Sequence, residues 1–196
     1  KNVLPQVDMP AGYSIRIAGD YEDQQETFGK MGMLGALIIL LVYIVMASQF
    51  ESFSKPAIIM FSVPFALSGV VLALWMTNTS LDMIGALGLV LLVGIVVKNG
   101  IVLVDYINLM RERGHDLNEA IQISGQSRLR PVLMTAFTTI LGMVPMAVSQ
   151  GDGAEMWRPL GVSVIGGLTI STIMTLIYVP TMYCVFGGNG VKRRRK

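Results

Sequence analysis

Five stretches of this chain are long and apolar enough to cross a lipid bilayer, and that limits everything else it can fold into. A spanning helix takes roughly 20 consecutive apolar residues. Residues 31–50, 57–78, 83–110, 131–149 and 160–186 meet the requirement, and the only charges inside them are Lys98 and Asp105. Hydrocarbon offers backbone N–H and C=O groups no water, so such segments pair internally as helices. Charged residues make up 14% of the chain, against roughly 25% in a soluble domain. The expected fold is therefore an all-α membrane protein, a five-helix transmembrane bundle occupying 30–187.

An odd number of spans puts the two chain ends on opposite sides. Of the 15 Lys and Arg residues, ten fall on the side of Lys55, the 111–130 loop and the tail. Four fall on the other side and Lys98 lies within a span. Positive loops stay in the cytoplasm, so the basic tail 188–196 is expected inside the cell and residues 1–29 outside. A basic stop after a last span is the ordinary reading of Lys192–Lys196, and no nucleic-acid partner is expected.

Outside the spans, 13–18 alternate apolar and polar residues like a half-buried strand. One strand is not stable alone, so it is expected to complete a sheet supplied by sequence upstream. The chain accordingly reads as a piece of a longer one, cut just before a membrane domain. Asp20 suits the cap of a helix that runs directly into the first span. Residues 116–126 read as a separate amphipathic helix at the cytoplasmic membrane surface, with Leu117, Ala120, Ile121 and Ser124 on one face.

With one cysteine, Cys184, and one histidine, His115, neither a disulfide framework nor a cysteine- or histidine-rich metal site can be built. No Gly-rich phosphate loop and no nucleophile–base pair is present, so neither an enzyme nor a cofactor is expected. The 14 methionines follow no repeat and read as packing residues.

Lys98 carries the most information. A charge near the middle of a span costs a few kcal/mol or more, so it needs a buried acidic partner or a water-filled path. Asp105 shares its face but lies seven residues on, about 10 Å along the axis, too far for a salt bridge. Asp105 reads either as a relay group or as a wetted residue near the cytoplasmic end. No other span contains an interior acid, so the carboxylates facing Lys98 are expected outside this chain. Thr135, Thr138 and Thr139 form a hydroxyl stripe, with Arg128 two turns before it on the same side. Water and proton passage or simple helix packing both account for that stripe. Gly32 with Ala36, and Gly85 with Gly88, suit close helix approach, and Pro64, Pro145 and Pro180 suit kinks.

The run Gly94-Ile-Val-Val-Lys98-Asn99-Gly100-Ile-Val-Leu-Val-Asp105-Tyr-Ile-Asn108 resembles the tenth transmembrane helix of resistance-nodulation-division efflux pumps. The run Arg128-Leu-Arg130-Pro131-Val-Leu-Met-Thr135, followed by Leu141-Gly-Met-Val-Pro145, resembles the start of their eleventh. Glu51-Ser-Phe-Ser-Lys-Pro56 and Gly166-Gly167 also fit. The resemblance implies the last five helices of a twelve-helix protomer, with 1–29 ending an external porter region. It implies a proton-driven antiporter in the cell inner membrane, with Lys98, Arg128 and Thr135 in the proton relay and two aspartates of the N-terminal half facing Lys98. It further implies a homotrimer, a periplasmic adaptor and an outer-membrane channel. Lys98-Asn99-Gly100 resembles the hydrophobe and amphiphile branch of multidrug pumps, the heavy-metal branch being expected to carry an acid near this position. A secretion-assisting membrane protein with a similar helix, and a scaffold in which Lys98 is a static ion pair, are the competing readings.

The charge bias makes a topological prediction. In a Cys184→Ser background, cysteines at Asn78 and Gln150 should react with an impermeant thiol reagent from outside the cell, and one at Gln126 only from inside. The opposite pattern would overturn the orientation.

Overall fold

The computed structural model describes residues 20–149, 151 and 153–186, and the side chains of 29–149, 151 and 153–185. Six helices occur among them: α1 (Asp20–Phe50), α2 (Ser54–Met60), α3 (Ser62–Thr77), α4 (Met83–Glu112), α5 (Leu117–Val148) and α6 (Ala154–Phe186). Helices α2 and α3 together make one membrane crossing, so five segments are long and apolar enough to span. The protein is an all-α membrane bundle. The strand expected at 13–18 and the tail 188–196 lie outside the described residues.

Helix α6 is the hub, packing against α3, α4 and α5. The α3 contact is the closest. A Cβ on Gly69 would lie 2.7 Å from the Gly166 carbonyl oxygen, and one on Gly166 would collide with Ala73 Cβ. A Cβ on Gly167 would collide with Leu92 of α4. Lipid tails are as apolar as the side chains, so helices in a bilayer gain little from hydrophobicity alone and depend on such backbone proximity. Gly85 and Gly88 of α4 also approach α6, near Pro159 and Leu160. Gly32 does not work this way, since nothing lies within 4 Å of its would-be Cβ. Instead Gly32, Gly35 and Ala36 line a 420 Å³ apolar cavity between α1, α3 and α4. Helix α1 sits at the edge, with only 6% of its apolar window buried, against 56% for α6.

Two boundaries differ from the sequence reading. The second crossing is interrupted at Phe61, between α2 and α3. Pro64 has no N–H for the carbonyl of Met60, and its ring crowds that carbonyl. The chain turns just ahead of it, and the Ser62 hydroxyl donates to the Ile59 carbonyl at 2.6 Å. Conversely, 116–126 is not a separate surface helix. It is the first part of α5, which continues through Ser127–Arg130 and Pro131 as one 32-residue helix. Its apolar face is held by the bundle: Ala120 and Ser124 are fully buried, and Ala120 shares a core with Ile107 and Met110 of α4. Short polar residues set other ends. Asp82 caps α4, its carboxylate accepting from Gly85 N–H at 2.7 Å, and Asn78 takes the left-handed conformation that closes α3.

The α3–α6 crossing should tolerate no side chain. Gly166→Val should lower unfolding stability in detergent by about 1–3 kcal/mol, as overpacking does. Gly142→Ala, where nothing lies within 4 Å, should change it by less than about 1 kcal/mol. Equal midpoints for the two variants in a denaturant titration would show that the crossing is not tightly packed.

Candidate functional site

Lys98 lies at the centre of the 30-residue α4, about 22 Å along the axis from either end. Its neighbours divide sharply. Val96, Val97, Asn99 and Gly100 are buried against the bundle, whereas Lys98 is exposed. Gly100 is small for a reason: a Cβ there would lie 2.7 Å from Cγ2 of Ile59 on α2. The Lys98-Asn99-Gly100 sequence thus puts the ammonium on one face of α4 and a close helix contact on another.

Lys98 belongs to a longer stripe. Leu87, Leu91, Gly94, Lys98, Asp105 and Leu109 are all exposed. Their spacing of three, four and seven residues marks one face of a helix. Nothing among the described residues covers it, and Lys98 makes no ion pair or hydrogen bond there. Asp105 shares the stripe two turns away. At its level Lys55 of α2 approaches, with Asp105, Arg111 and Glu112 all near enough to act on it electrostatically.

Arg128 on α5 is half-buried and reaches α4. Its guanidinium carbon lies 4.4 Å from the ring centroid of Tyr106, a cation–π distance, and its Nε has no hydrogen-bond partner among the described residues. Arg128 therefore contacts the residue after Asp105, not Lys98. Thr135 is exposed and its hydroxyl donates to the Val132 carbonyl at 2.9 Å, as Thr139 does to the Thr135 carbonyl at 2.8 Å. Both hydroxyls are satisfied by their own helix, so the Thr135–Thr139 stripe is no hydrogen-bonded chain in this state. The structure brings Arg128 to the Asp105 end of α4 and leaves Lys98 and Thr135 unengaged.

Tyr106 and Tyr183 were not singled out from sequence. Tyr183 is buried on α6 and donates its hydroxyl to Asn108 Oδ1 at 2.6 Å, tying the hub helix to the same end of α4. Both aromatic residues read as ordinary span residues in one dimension. The pairing across 22 positions, or across 75, carries no sequence signal.

The sequence model of the AcrB/AcrD/AcrF family matches residues 1–187. The cobalt-zinc-cadmium resistance protein CzcA of Cupriavidus metallidurans is 39% identical over 181 residues, 92% of this chain and 17% of that protein. Protein HelA of Legionella pneumophila is 36% identical over 197 residues, covering the whole chain and 19% of that protein. A crystal structure of a heavy metal efflux pump superposes with a TM-score of 0.78 at 30% identity, over 92% of this chain and 18% of the pump. The chain spans under a fifth of the length of the curated relatives it matches.

The Arg128–Tyr106 contact is open to direct measurement. A double-mutant cycle with Tyr106→Leu and Arg128→Met should give a coupling of about 0.5–1 kcal/mol. Tyr106→Phe, which keeps the ring, should retain most of it, and additive single-mutant effects would remove the interaction. By the span of the match and the identity to these relatives, the chain belongs to the AcrB/AcrD/AcrF family of efflux transporters.

Proposed function

We propose that this chain supplies the C-terminal half of the transmembrane proton relay in a proton-motive-force-driven exporter of the inner membrane. The main support is Lys98: an ammonium at the midpoint of α4, on an uncovered stripe, without a partner among the described residues. A cation facing lipid at that depth would cost several kcal/mol. In the working transporter that face is therefore covered, and the cover carries carboxylates, supplied by the N-terminal half of the same protein. A proton arriving on such a carboxylate removes the charge that holds Lys98. The ammonium is then free to reorient, which makes a two-state element able to shift helices. Arg128 and Asp105 lie at one end of this face, which the Lys/Arg bias assigns, together with the C-terminus, to the cytoplasm. There Asp105 can exchange protons with water, and the always-charged Arg128 can hold water and a carboxylate beside it. Thr135 would contribute a hydroxyl once its helix moves. An exporter, not an enzyme, is the activity this arrangement suits, and a homotrimer with a periplasmic adaptor and outer-membrane channel is the assembly.

For the cargo, heavy-metal cations are the first reading. The relative whose name mentions cobalt, zinc and cadmium matches nine-tenths of the chain, as does the heavy metal efflux pump of known structure, which outweighs the three residues Lys98-Asn99-Gly100 on which the amphiphile branch rests. That tripeptide keeps hydrophobic or amphiphilic compounds as the second reading.

Both parts are testable in the full-length transporter. Lys98→Ala should reduce proton-coupled efflux to the level of cells without the pump, at matched protein amounts. Thr135→Ala should lose only part, because water can replace one hydroxyl in a wet path. Wild-type efflux from the Lys98→Ala protein would reject the relay and leave a structural ion pair. Protection of cells against zinc, cobalt or cadmium salts, but not against a cationic dye, would support metal cargo; the reverse would support amphiphiles.

A further inference from the structure

A second cation stands apart from the relay. Helices α3 and α5 end, and α6 begins, at one end of the bundle. Between them lies a 380 Å³ cleft whose wall includes Arg158, Thr77, Ala73, Val148, Ile165 and Gly166. Arg158 is half-buried in it, with an Nε that is shielded from solvent and has no hydrogen-bond partner among the described residues. The other polar side chain of the wall, Thr77, is already occupied: its hydroxyl donates to the Ala73 carbonyl at 2.8 Å and lies 2.9 Å from Thr79 Oγ1. Below Arg158 the wall is apolar for the seven or eight residues to Ile165 and Gly166, about 12 Å of helix.

The level of this cleft is also marked. Trp75 and Trp157 are exposed beside it, at 78% and 51%, and exposed tryptophans in spanning helices favour the headgroup layer. A guanidinium whose Nε has no partner among the described residues, at headgroup depth above an apolar slot, has a specific chemical complement. A phosphate satisfies its planar fork bidentately, and a chain attached to that phosphate fills the slot beneath.

We propose that this cleft is a binding site for an anionic phospholipid, with the phosphate on Arg158 and the upper part of one acyl chain along Ala73, Ile165 and Gly166. The site shares no residue with the relay and does not rest on it. The test uses the full-length transporter in nanodiscs of mixed dioleoyl phosphatidylglycerol and phosphatidylcholine, with retained lipids counted by native mass spectrometry. Wild type should retain phosphatidylglycerol in preference by about tenfold. Arg158→Gln should bring the preference near parity, and Arg158→Lys should keep part of it. Arg130→Gln, at the other end of the bundle, should leave it unchanged. Val148→Trp, which narrows the rim and keeps the cation, should also lose the lipid and serves if Arg158→Gln does not insert. Glycerol phosphate, which has the anion without the chain, should not displace the lipid at millimolar concentration. An undiminished preference in Arg158→Gln or Val148→Trp, no preference in wild type, or full displacement by glycerol phosphate would each overturn the proposal.

Discussion

The organisation of this protein depends on one unfavourable placement, an ammonium at the midpoint of a 30-residue apolar helix. No arrangement of the five spans described here relieves it. The helix packs its Val96, Val97 and Leu103 side into the bundle and turns Lys98 outward. The inward side of α4 belongs instead to an apolar core with Ile59, Val63 and Val179, which carry no charge to pair with an ammonium. The outward face is thus the less costly of two poor choices within the chain, and it becomes favourable only when something acidic is laid over it. In the proposed half-relay, Lys98 would tie the folding of this chain to that of the segment covering it, because leaving the ammonium uncovered costs more than a typical single helix contact returns.

The covered and uncovered sides of α4 are built for different tasks. On the covered side, glycines at 69, 166 and 167 bring α3, α6 and α4 into backbone proximity, and packing this dense does not deform continuously. At the Asp105 end, Tyr183 locks α6 to Asn108. Helix α5 is held differently: 11% of its apolar window is buried, its Ala147 backbone lies close to Gly161 of α6, and its Arg128 rests on the Tyr106 ring face. A cation–π contact has little directional demand and is easily exchanged for a carboxylate.

Much of the fold was legible in the sequence because lipid imposes so simple a rule. Five uninterrupted apolar runs have one good solution, and the single interior lysine announces itself by its cost. The break at Phe61 was not legible, since Pro64 permits either a kink or an interruption, and the Ser62 hydroxyl bond that goes with the interruption is a three-dimensional fact. The merging of 116–126 into α5 escaped for a related reason. Pro131 looked like a helix start, yet a proline inside a helix is tolerated in membrane proteins where neighbours compensate. Gly32 shows the converse limit: a small residue permits close approach but does not require it. The site was legible as a set of residues and not as an arrangement. Lys98, Arg128, Thr135 and Asp105 could be named, but not that Arg128 contacts Tyr106 while Lys98 contacts nothing described.

That difference bears on how Arg128 and Lys98 would communicate in the proposed relay. Arg128 and Lys98 are about 12 Å apart along the bundle axis if Arg128 sits level with Tyr106, eight residues beyond Lys98. Direct charge transfer between side chains over such a gap is not feasible, and the Thr135 and Thr139 hydroxyls donate to the Val132 and Thr135 carbonyls of their own helix. Either water enters between α4 and the helices that cover it, or the helices shift until the groups meet. The exposed stripe favours water at its Asp105 end, where Lys55, Asp105, Arg111 and Glu112 already gather charge. At the Leu87–Leu91 end the same stripe is apolar and would exclude it. A stripe wet at one end and dry at the other would, in the proposed relay, admit protons from the wet end only.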